Sequence, residues 1–166
     1  MTEMKIMMID RTLWVSALKA LPIEQLLSFT TELSKDWAIR SKSIPQSGLG
    51  MLRLNDSAFE EAFYLGEFPL ASAWLEIETS DGLIAEGAAQ VMDDRIEAAE
   101  ALALCDAVLS AQLPGWEQLN KMLDQGMEIR ESASQNRKHM LASTKVDFSL
   151  LDEVAPDAME GKNAES

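Results

Sequence analysis

The stretch that most constrains this chain runs from Ala62 to Val91, AFYLGEFPLASAWLEIETSDGLIAEGAAQV. Ala71, Ala73, Leu75 and Ile77 alternate there with Ser72, Trp74, Glu76 and Glu78. A period of two belongs to a half-buried strand. Thr79 and Ser80 lead into Asp81-Gly82, a hairpin turn pair whose glycine supplies the positive φ. The alternation resumes with Leu83, Ala85, Gly87, Ala89 and Val91 on one face and Ile84, Glu86, Ala88 and Gln90 on the other. An antiparallel hairpin with one apolar face must be covered, and helical segments lie on both sides of it in the sequence.

The segments before the hairpin supply part of that cover. Asp10 is placed to cap a first helix, with Leu13, Trp14, Ala17, Leu18 and Leu21 at helical spacing. Pro22 stands at the first turn of a second, whose stripe is Ile23, Leu26, Leu27, Thr30 and Leu33. Trp37 to Ile44 reads as a strand, Pro45 to Gly48 as a turn or loop, and Leu49 to Leu54 as a second strand. After the turn-like Asn55-Asp56-Ser57, Phe59 to Leu65 reads as a third. It passes through Gly66-Glu67-Phe68-Pro69 into the hairpin, where Pro69 marks an edge, bulge or break. Asp93 is read as the cap of an Ala/Leu-rich helix to about Leu113, stopped by Pro114-Gly115. After Glu100 its one charge is Asp106, so it is buried on several sides, in the core or against a partner. Trp116 to about Thr144 reads as a longer amphipathic helix.

The expected fold is therefore α+β: an antiparallel sheet of four to five strands, an N-terminal helical hairpin, and two longer C-terminal helices packed on one face. At 166 residues and 47% hydrophobic content, one domain over 1–151 is expected, with 152–166 an acidic tail read as disordered. The net charge of −14 opposes binding to nucleic acid or anionic lipid. A single cysteine, Cys105, excludes an internal disulfide, and no CxxC or Cys/His pair suggests a metal site. No signal peptide or membrane span is read in the chain, which places it in the cytoplasm.

Signatures of catalysis are sparse. No GxxxxGK[ST], GxGxxG or GxSxG sequence occurs. His139 lies in a polar helical stretch beside Arg137 and Lys138, the setting of a solvated histidine rather than a base. Cys105 shares a stripe with Ala98, Leu102 and Leu109 and reads as a small core residue. Asp106 is mid-helix in apolar company. If buried, it needs an arginine or backbone N–H groups as partners. These observations give no catalytic residue and no metal ligand.

Four stretches together carry a resemblance. They are RTLWVSALKAL; SGLGMLRL followed by FYLGEFPLASAWLEI; DGLIAEGAAQVMDDRIEAAEALALCDAVL; and ASTKVDFSLL. In this order and spacing the chain resembles the G subunits, the PhnG family, of the bacterial carbon–phosphorus lyase core complex. Here Ser149, Leu150, Leu151 and the acidic Asp152 and Glu153 replace the family's basic ending. Gln90-Val91-Met92-Asp93-Asp94 replaces its arginine-containing loop, and Ser72 a charged residue.

The resemblance implies partners, namely the H, I and J subunits, with the ATP-binding L protein acting indirectly. It implies a shared reaction, in which a phosphonate such as methylphosphonate attacks the ribose C1′ of MgATP. Adenine leaves and ribose 1-methylphosphonate 5-triphosphate forms. The nucleosidase-like step is attributed to the I subunit, and the later radical chemistry to the J subunit with its iron–sulfur cluster. The G subunit then binds no cofactor by itself and serves assembly.

On this reading the candidate interface is Ile96, Leu102, Asp106 and Leu109 on the apolar helix, with Lys145, Val146, Asp147 and Phe148 as a docking arm or as a helix end folded back on its own core. Gly66, Glu67, Asp81, Gly82 and Gly87 are candidate structural positions. Two other readings stand beside it: an acidic scaffold or protein-binding module unrelated to phosphonates, and a small independent enzyme using Asp106 and His139.

Overall fold

Asp10 begins the first helix as its position suggests, its carboxylate accepting from the Thr12 N–H at 2.8 Å. In the computed structural model, which describes residues 9–143, helix α1 (Arg11–Leu18) is followed by α2 (Ile23–Leu33). Pro22 occupies the N-cap position of α2, where its missing N–H costs nothing. Three strands follow, β1 (Ala38–Asn55), β2 (Ala62–Glu78) and β3 (Ile84–Val91), and then α3 (Ile96–Ala111) and α4 (Trp116–Ser143).

The sheet is antiparallel with order β1-β2-β3. Three strands replace the expected four or five, and proline is the reason. Pro45 does not end a strand. It sits in an irregularity between the Ser43–Trp74 and Gln46–Ser72 pairs, and β1 runs through it as one edge strand of 18 residues. Pro69 likewise lies inside β2, which absorbs the segment from Ala62 onward. Pairing between β2 and β3 begins at Ala71–Val91, so the missing N–H of Pro69 falls where β3 has ended. The β1–β2 turn spans the residues between Asn55 and Ala62, with the Ala58 N–H donating to the Asp56 carboxylate at 2.7 Å.

Most of the expected inward set of the hairpin is buried; Leu83, ahead of β3, is instead 51% exposed, and Ala85 is half-buried. Ala71, Ala73, Leu75, Ile77, Ala89 and Val91 join Leu18, Leu26, Leu102, Val108, Leu119 and Leu123 in one core. Helix α3 lies on β2 and β3 and also meets α1 and α2. It begins at Ile96 and not at Asp93, whose side chain instead accepts from the Arg95 N–H ahead of the helix. It closes on Gln112 in the left-handed region (φ 51°). Of the two C-terminal helices expected on the sheet, α3 is the one there. Helix α4 meets α1 at Gly126, where an added Cβ would stand 2.1 Å from the Ala17 carbonyl oxygen. The chain divides into two compact units, Met1–Glu131 and Ser132–Ser166. The second contains the last, polar turns of α4.

Candidate functional site

The one charged residue of α3 after Glu100 is a structural tie. Asp106 accepts from Arg11 through a two-point pair, Nε to Oδ1 at 2.8 Å and Nη2 to Oδ2 at 2.6 Å. Its Oδ2 also accepts from the Ala88 N–H at 3.0 Å. One carboxylate thus joins α1, α3 and β3. The expectation of an arginine or a backbone N–H as partner is met by both. Ala88 is also on the outer strand of the sheet, so Asp106 satisfies an amide that the ladder leaves over. The pair raises the affinity of Arg11 for its proton.

Two other groups are similarly absorbed. Asp93 is buried and accepts from Lys19 and from Arg95, whose Nε stands 2.9 Å from Oδ1 and Nη2 3.0 Å from Oδ2. These partners, Arg95 first and Lys19 second, hold its carboxyl far below the usual carboxylate range. The Cys105 thiol is buried, and desolvation pushes it well above its usual range, with the neighbouring Asp106 charge adding to the effect. It has none of the thiolate character that a nucleophile needs. His139 is exposed in the second unit. Among the described residues, no group of three or more His, Cys, Asp and Glu side chains could hold a metal ion. Among the same residues, no helix is long and apolar enough to cross a membrane.

Leu102 and Leu109 are buried, and the chain's own sheet and first two helices cover the apolar α3. Ile96, at its start, is half-buried. Lys145, Val146, Asp147 and Phe148 lie outside the described residues. Asp81 and Gly82 form the β2–β3 turn, with Gly82 at φ 79° and the Thr79 hydroxyl accepting from the Leu83 N–H at 3.1 Å. Gly87 is where α3 presses against β3. An added Cβ would stand 2.1 Å from the Ala103 carbonyl oxygen and 2.5 Å from the Ala107 nitrogen. A Cβ added at Gly66 would meet nothing within 4 Å, and Glu67 is exposed beside it.

The most unusual surface is one the sequence reading passed over. β3 pairs with β2 only from Ala71 onward, while β1 and β2 continue together from Gln46–Ser72 to Asn55–Ala62. Beyond the sheet the chain is therefore a two-stranded ribbon. Its register puts Leu49, Met51 and Tyr64 on one face and Leu52, Leu54 and Phe63 on the other. Leu49 is 70% exposed, Tyr64 63%, Leu65 63% and Phe59, in the turn, 77%. Phe68 lies over Gly50, its cross-strand partner, which has no side chain to hold it off. The available signal was the apolar content of both alternating sets in LGMLRL and AFYL. A strand solvated on one face does not need that composition.

The outer face of the sheet proper is polar. Lys42 donates to Glu86 at 2.9 Å and its ammonium stands 5.9 Å from the centre of the Trp74 ring. Arg40 spans Glu76 and Glu78. Exposed pairs of this kind contribute little to stability.

A protein-family model described as phosphonate metabolism protein PhnG matches residues 9–152. No curated protein matches the chain.

Proposed function

The chain belongs to the PhnG family of phosphonate metabolism proteins, and on that premise we propose that it is a non-autonomous subunit of the ribose 1-methylphosphonate 5-triphosphate synthase. In that reaction a phosphonate oxygen forms a bond to the ribose C1′ of MgATP while the bond from C1′ to adenine breaks. The chain's part is assembly, with the H, I and J subunits as neighbours and the L protein acting indirectly. MgATP is a substrate of the complex and this chain holds no cofactor of its own. The site of action is the cytoplasm.

The ribbon is the observation that carries the reading. A two-stranded hairpin is marginal in water by itself. One that leaves Leu49, Phe59, Tyr64 and Leu65 largely exposed has the character of a contact surface awaiting a partner. The saturation of Asp106 by Arg11 and Ala88 also supports an assembly role, because the carboxylate best placed to attract a catalytic reading is spent on the fold. An acidic scaffold would share the ribbon, and the family match favours phosphonate metabolism over it.

Co-expression with the neighbouring I-subunit homologue, followed by affinity capture and size-exclusion chromatography, tests the proposal. The expected result is a stoichiometric complex that persists at high salt. A monomer that ignores this partner would overturn the reading.

A further inference from the structure

Apart from the ribbon, the helical side of the sheet holds an open groove of about 530 Å³ between α2, the first turns of α3 and the β1 end of the sheet. Its floor is apolar, with Leu27, Ile39 and Leu104 among its lining, and Glu97 and Glu100 line it from α3. None of the lining residues is a lysine, arginine or histidine. Two arginines near its rim are paired elsewhere: Arg95 with Asp93, and Arg40 with Glu76 and Glu78.

The two glutamates are unusual in combination. Among the described residues neither has an ion pair. They stand three residues apart on one helix, where like charges repel. Glu97, in the first turn, complements the helix dipole, but Glu100 lies a turn further in and gains little from it. An apolar floor with two unneutralised carboxylates matches one kind of group: an aliphatic stem that ends in a cation.

We infer that this groove receives a lysine or arginine side chain, flanked by an apolar residue, from a segment of a partner protein. The stem lies over Leu27, Ile39 and Leu104, and the cation sits between Glu97 and Glu100. Assigning that segment to a subunit of the phosphonate complex rests on the proposed function; the chemistry of the groove does not. The volume suits one long side chain and a neighbour, within the usual range of about 300–1,000 Å³ for small-ligand sites. The groove gains its specificity from charge, since the floor would accept any aliphatic group.

The test titrates the isotope-labelled full chain with the peptide acetyl-Leu-Arg-Leu-Leu-Arg-Leu-amide and with the same peptide carrying glutamine for arginine. Amide shifts at Thr31, Ser41 and Ala101 are expected with the arginine peptide. About tenfold weaker binding is expected for the glutamine peptide, and for E97Q/E100Q with the arginine peptide. Equal affinity for the two peptides, or shifts confined to the ribbon, would overturn the inference. The Glu→Gln changes keep helix propensity and surface exposure, so the double variant is expected to fold. In the assembled complex the same variant weakens binding if the groove is used there. A complex that forms and ignores E97Q/E100Q sinks the groove's role, whereas no complex at all sinks the subunit reading and leaves the peptide titration to judge the groove.

Discussion

At the scale of single residues, two buried carboxylates do different work. Asp106 ties three elements, and its removal leaves the N–H of Ala88, an exposed residue on the edge strand, to bond water. Arg11 likewise has a side chain that is 61% exposed and returns readily to water, so the buried member of the pair is the carboxylate. D106A is therefore expected to lose about 1–2 kcal/mol in urea unfolding, the net worth of charge-assisted bonds whose donors return to water. R11A leaves a carboxylate whose side chain is only 9% exposed without its guanidinium and should lose about 2–3 kcal/mol. A loss at R11A well below that at D106A would mean that the strand amide, and not the ion pair, is the reason for the aspartate. Asp93 makes a prediction about pH. Its folded pKa lies below the unfolded value near 3.8, so it is ionised in the folded state where the unfolded chain is already taking up a proton. The stability it contributes is complete well above pH 4 and is lost as the pH falls through and below that value. D93N is expected to flatten the acid limb of the stability profile while changing little of its slope above pH 6. An unchanged acid limb would assign the acid sensitivity to other carboxylates.

At the scale of elements, the close crossing of α3 over β3 depends on Gly87. A methyl group there meets backbone atoms of Ala103 and Ala107, which have no rotamer to move to. G87A is expected to lose about 3 kcal/mol or more, at or beyond the upper end for overpacking. G66A, with nothing within 4 Å, should leave the melting temperature nearly unchanged. Similar losses at both positions would contradict the crossing. The sequence pattern made the hairpin legible from Ala71 to Val91, because one face is buried and alternation records that. It misled over strand number, because proline was read as punctuation. Pro45 and Pro69 are tolerated inside strands at a bulge and at the end of a ladder, and neither position is visible before the pairing is known. The kind of partner that Asp106 would need was legible. That Arg11 supplies it was not, since 95 residues separate the two. The burial of α3 could be read from its composition, but whether its own sheet or another protein covers it depends on tertiary contacts.

At the scale of the whole molecule, stability and association should separate along the chain. The core is built from the helices and the part of the sheet between Ala71 and Val91. The ribbon adds exposed apolar side chains and contributes none of that buried set. Serine at Phe63, Tyr64 and Leu65 removes side chains that are 45%, 63% and 63% exposed, so the transfer term for folding is small. A change of less than about 1 kcal/mol is expected, as for substitutions away from the core. The same change takes large apolar anchors from the proposed interface, and such anchors account for most of the energy of a contact. F63S/Y64S/L65S is therefore expected to melt with the parent chain and to lose co-purification with the I-subunit homologue. G66A, within the same ribbon, should keep both properties and so control for the strand itself. With 28 acidic residues against 14 basic ones, the association rate should also fall as salt rises, since a negative chain of this kind is drawn to a basic partner surface. Two outcomes would count against the division. If the serine variant melts much earlier, the ribbon belongs to the fold's own stability. If it melts normally and still binds, the contact surface lies elsewhere on the molecule.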